Sequence, residues 1–139
     1  MRSFLYLIAF IFLFTNCTTP VKEQINSLNG YWEIHKVEFP SGETKTYDIN
    51  KFVDFIELKT DTSGIRKKLA PKIDGSFSSN NDHEDFRVSI QNKHLYLIYS
   101  TPFAEWKEEV LKVNKDQLIV INKEKLKYFY KRYKKLTLN

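Results

Sequence analysis

Beyond Leu28 the chain alternates apolar and polar residues with a period of two far more clearly than it repeats every 3.6 residues. That is the pattern of strands with one wet face, not of amphipathic helices. Asp85–Gln91 is the cleanest case: Phe86, Val88 and Ile90 fall on one side, and Asp85, Arg87, Ser89 and Gln91 on the other. Asn92 and Lys93 separate it from Leu95–Tyr99, a spacing that suits a tight hairpin. The same pattern predicts strands over 31–39, 52–59, 65–69, 73–79, 106–113, 118–121 and 126–133, about nine in all. Turn chemistry joins them at Ser41-Gly42, Asp61–Gly64, Asn80–Asp82, Asn114–Asp116 and Asn122–Glu124. No long helical period is available for crossovers, so the reading is all-β: an antiparallel meander of about eight to nine strands that must close into a barrel or fold over as a sandwich to protect its edges.

A different pattern precedes this domain. Phe4–Phe14 is unbroken apolar sequence after Arg2 and before polar Thr15 and Asn16. A bilayer-spanning helix needs about 20 apolar residues, so this shorter stretch reads as the core of a signal peptide over residues 1–16. Cys17 follows, and it is the only cysteine. One unpaired thiol in an exported chain calls for a role. Leu13–Cys17 resembles a lipobox, where lipoprotein signal peptidase cuts before a diacylated cysteine. The resemblance implies lipid attachment at Cys17 and a protein held to the bacterial cell envelope, with the outer membrane as the expected site. Residues 18–27 are polar, include Pro20 and lack a strong period, so 17–27 reads as acylated cysteine and flexible tether. The domain then occupies 28–135, and 136–139 form a short tail.

Composition narrows the partners. With one cysteine no internal disulfide can form, so stability must come from apolar burial and sheet hydrogen bonds. The formal charge of +5 falls by one if Arg2 leaves with the signal peptide. The basic residues are spread without a nucleic-acid motif, so no nucleic-acid partner is expected. Lys123–Lys135 holds seven basic residues and one acidic residue, Glu124. Its lysines discourage edge pairing, and they also suit anionic lipid head groups. A monomer is the expected state.

Candidate chemistry is sparse. His35, His83 and His94 lack metal-ligand spacing, and the acidic run Asn80–Asp85 lacks the spacing and glycine of a calcium loop. No nucleophile elbow, phosphate loop or dinucleotide fingerprint is present. The reading is therefore of a non-enzyme with no cofactor and no metal. Glu108 and Glu109 are adjacent, so in a strand they face opposite sides and cannot act together. If Trp106 faces inward, so does Glu108, whose buried carboxylate would need a partner; Arg87 and Arg132 are the candidates. The 11 Phe, 8 Tyr and 2 Trp either fill a narrow barrel, as small barrels favour, or line an apolar pocket.

Leu28-Asn29-Gly30-Tyr31-Trp32 at the start of the first strand resembles the Gly-x-Trp entry of lipocalins, and the likeness extends to short lipocalin-like lipoproteins of Bacteroidetes over residues 28–133. It implies that the meander of about eight to nine strands closes into a small lipocalin-like β-barrel, on a floor built from Gly30, Trp32 and Arg132, with a helical turn over Gln24–Leu28 and Arg132 covering the Trp32 ring. It also implies a membrane-anchored binder of a small hydrophobic ligand, with Trp32, Phe77, Phe86, Tyr99 and Trp106 as pocket or floor residues. The other reading is a solid barrel that acts as an envelope interaction module or inhibitor without a small ligand, through loops such as 68–72 or 101–105.

Overall fold

The computed structural model describes residues 19–135; the expected signal peptide, Cys17 and the tail 136–139 lie outside the described residues. A seven-residue helix, α1 (Val21–Ser27), leads into ten strands: β1 (Gly30–Glu38), β2 (Thr44–Thr46), β3 (Val53–Thr60), β4 (Ser63–Pro71), β5 (Phe77–Ser78), β6 (Glu84–Gln91), β7 (His94–Ser100), β8 (Glu105–Val113), β9 (Gln117–Ile121) and β10 (Lys127–Arg132).

Neighbouring strands pair antiparallel in the order β10-β9-β8-β7-β6-β4-β3-β1, and β10 pairs back onto β1. Eight strands thus close into a barrel, and no edge is left open along that circuit. The two remaining strands are additions at its wall. β2 extends the pairing of β1 beyond Lys36, where β3 has ended, and β5 pairs with the end of β4. Register irregularities at Ile34/Lys36, Leu58/Thr60 and Val110/Lys112 supply the local bends that a small closed barrel needs.

Two expectations are corrected. The run 73–79 contributes only the two-residue β5, because Gly75 turns with positive φ and Phe77 faces outward onto Tyr31. Residues 21–27, read as tether, form α1 with Ile25 buried in the core, so the folded part starts before Leu28.

α1, the start of β1 and the end of β10 lie at one end of the barrel, with the turns 61–62, 92–93 and 114–116. The connections 39–52, 72–83, 101–104 and 122–126 all lie at the other end. The core fills the first end: Leu28, Trp32 and Leu97 are fully enclosed among Val113, Leu118 and Tyr130.

Candidate functional site

The floor is built around Arg132. Its guanidinium lies 3.7 Å from the Trp32 ring centroid and donates to the carbonyls of Asn29 (2.6 Å), Ser27 (3.0 Å), Asn114 (3.2 Å) and Lys115 (2.9 Å). Trp32 donates from Nε1 to the Leu28 carbonyl at 2.8 Å. Gly30, at φ +120°, permits this approach, since a Cβ there would sit 2.6 Å from Arg132 Nη1. Three elements that are distant in sequence are thereby riveted together, and ligand entry from this side is blocked.

Above the apolar layer the interior turns polar. Arg66 on β4 bonds Glu84 through Nε at 2.6 Å, and through Nη1 it reaches Glu108 at 3.3 Å and the Tyr99 hydroxyl at 3.2 Å. Its guanidinium also lies over the Tyr99 ring at 4.1 Å. Beside it Lys68 pairs with Asp54. Asp54 and Glu108 are only 6% and 8% exposed. Burial opposes the charge on Arg66, but Tyr99, Glu108, Asp54 and Glu84 outweigh it and hold the guanidinium protonated. Burial also pushes the Glu108 carboxyl up, against the pull of Arg66 and of the bond from Tyr99. Glu108 does face inward with Trp106, but its partner is Arg66. Arg87 instead meets Glu105 on the outer wall, and Arg132 is committed to the floor.

The space enclosed by Trp32, Ile56, Arg66, Tyr99, Glu108 and Tyr130 is about 10 Å³, the size of one water. No apolar pocket therefore runs through the barrel where Phe77, Phe86, Tyr99 and Trp106 were expected to line one. Phe86 is buried edge-on against Tyr99 at 5.8 Å and packs the core. Phe77 lies outside the barrel, stacked on Tyr31 at 4.8 Å and near Tyr133.

Tyr99 and Trp106 do meet, stacked at 5.3 Å with 15° between the rings. They stand at the mouth, where β8 separates from its next neighbour. Glu105–Glu108 pair only with β7, and pairing of β8 with β9 starts at Glu109. The resulting seam opens into a cleft of about 690 Å³ whose lining includes Trp106, Glu108, Tyr128, Asn122, Lys123 and Glu124. Burial and the nearby carboxylates of Glu108 and Glu124 raise the Tyr128 hydroxyl. Sequence reading missed Arg66, Asp54 and Tyr128, because nothing in one strand's alternation tells which charges from other strands share the interior.

The mouth is also fringed by apolar side chains. Phe39, Ile49, Phe52, Ile73 and Phe103 are all exposed, Phe103 at 97% and Ile49 at 92%, and each sits on a connection at the open end. A second groove of about 760 Å³ runs from Arg66 and Lys68 to Phe103. Among the described residues no group of His, Cys, Asp and Glu could hold a metal ion, and no helix is long and apolar enough to cross a membrane.

Two solved structures are similar to the chain. A lipocalin-like protein from Bacteroides uniformis shares 12% identity at a TM-score of 0.48, covering 77% of this chain and 99% of that one. An uncharacterized protein from Bacteroides eggerthii shares 11% identity at 0.47, covering 76% and 99%. No curated protein matches the sequence. Residues 28–120 match the family model described as a lipocalin-like domain.

Proposed function

Because the chain belongs to the lipocalin-like domain family, we propose that it is an exported, non-enzymatic binding protein, lipid-anchored at Cys17, that captures a small ligand at the open mouth of its barrel. The observation that carries this reading is the contrast between the two volumes. The interior leaves about 10 Å³, whereas the seam beside Trp106 and Tyr128 offers about 690 Å³, within the range of small-molecule sites. Aromatic rings and polar groups meet in both, and of the two only the second has room for a molecule larger than water.

The anchor fits this orientation. Cys17 stands four residues before α1, a reach of roughly 14 Å when extended, and α1 belongs to the closed end. A lipid on Cys17 would hold that end near the outer membrane and turn the mouth away. The test is native mass spectrometry of the full chain purified from its membrane fraction. A co-purifying small molecule, lost in Trp106→Ala, is expected; a protein that is bare in both forms counts against the reading. Cys17→Ser should abolish labelling by radioactive palmitate and release the chain from membranes, and unchanged labelling would remove the anchor.

A second reading, an envelope interaction module, draws on the exposed Phe39, Ile49, Phe52, Ile73 and Phe103 around the mouth, since apolar rims of this kind mark interaction surfaces. Crosslinking from position 103 to a single protein in cells, with no small molecule in the mass spectrum, would favour it.

A further inference from the structure

The charges at the mouth do not balance, and the imbalance names a ligand class. Arg66 meets two carboxylates, Glu84 and Glu108, and beside it Lys68 pairs with Asp54, so three carboxylates face two cations. The other basic groups nearby are engaged elsewhere or offset. The cleft lining itself holds three carboxylates, Glu105, Glu108 and Glu124, against two lysines, Lys123 and Lys107, the latter with its ammonium over the Tyr96 ring, and Lys127 pairs with Glu38. Glu108 is thus a buried carboxylate that shares its one strong partner, Arg66, with Glu84. Burying charge in excess is costly unless a counter-charge arrives.

The surroundings of Glu108 suit one kind of counter-charge. Trp106 lies two residues away on the same side of β8, one face stacked on Tyr99, and lines the cleft with Tyr128. Aromatic faces beside a carboxylate attract a cation through the ring quadrupole as well as through Coulomb's law, and the attraction grows when the cation is desolvated. A bare metal ion would find one buried carboxylate and, among the described residues, no group of three or more His, Cys, Asp and Glu side chains able to hold it. An ammonium group carrying carbon would satisfy both the charge and the rings.

We propose that the seam cleft binds a small organic cation, its ammonium group placed between Trp106 and Tyr128 against Glu108. The inference rests on the mouth being the binding site, and it adds what the ligand must carry. The competitor is a proton on Glu108, which would neutralise the same excess. Arg66 on β4, Tyr99 on β7, Glu84 on β6, Asp54 on β3 and Tyr128 on β10 set that balance.

The test compares choline with 3,3-dimethylbutan-1-ol, its uncharged carbon isostere, by calorimetry on the full chain in a maltoside detergent. Choline should bind at least about ten-fold more tightly, as a desolvated charge contact implies. Glu108→Gln should weaken choline by about ten-fold or more while leaving the alcohol unchanged, and Trp106→Ala should weaken both. Choline affinity should fall on acidification as Glu108 takes up its proton, and this slope should be absent in Glu108→Gln. Equal binding of choline and its isostere overturns the cation and leaves the mouth as a ligand site. Choline binding that Glu108→Gln does not alter, or no choline binding at all, also overturns the inference; the mass spectrum of the purified protein then decides separately whether the mouth binds anything. Urea unfolding of both variants distinguishes a lost contact from a lost fold.

Discussion

Arg132 shows how much one side chain can organise when its geometry is fixed. It donates to four carbonyls from two separate segments, 27–29 and 114–115, and covers Trp32, work that a lysine's single ammonium cannot reproduce. Arg132→Lys should therefore lower stability by about 2–4 kcal/mol, read from the urea midpoint. Gly30→Ala should cost about 1–3 kcal/mol, because φ is +120° and the new methyl would meet the guanidinium at 2.6 Å. Glu108 acts in the opposite sense. Its carboxyl is raised by burial, so the folded state holds its proton more tightly than the unfolded chain does. Its contribution to stability is full below the ordinary glutamate range and is lost as pH rises through the folded value. Measured from pH 4 to 8, the stability of the parent minus that of Glu108→Gln should decline with rising pH; a flat difference would contradict the buried assignment.

At the scale of elements, the alternation along single strands was readable because each strand has one face in the barrel and one in water. Phe86 and Val88 on β6, and Leu95, Leu97 and Tyr99 on β7, point inward. The elements that escaped are those without such a face. Thr44–Thr46 is exposed at every position, so β2 exists through its hydrogen bonds to β1 and leaves no apolar mark. The helix α1 has one buried residue, Ile25, in seven, too few to display a period. It nevertheless caps the floor, with Leu28 completely enclosed just after it. Leu28→Ala should cost about 2–5 kcal/mol, seen as a lowered thermal midpoint, and a loss below 1 kcal/mol would mean that the helix is not part of the cooperative unit.

For the whole molecule, closure of β10 onto β1 joins the two ends of the domain and makes the barrel one cooperative body. The same closure sets what can enter. A barrel interior with about 10 Å³ of free space cannot admit an acyl chain, so long-chain fatty acids should leave the thermal midpoint of the full chain unchanged; a clear rise would show that the interior opens.

The sequence by itself determined the period-two pattern, and with it the all-β class and the meander. These follow from local spacing, since a strand's two faces are written in consecutive residues. It also singled out Cys17 as a lone cysteine after an apolar stretch. Only the tertiary structure decided which charges share the interior. Asp54, Arg66, Glu84, Tyr99 and Glu108 come from five strands, and their meeting depends on register across the barrel. The same holds for Phe77, whose alternation looked like any other but whose short strand folds onto the outer wall. Where function depends on residues brought together from several strands, the order of residues along one strand is silent, and closure of the sheet supplies the answer.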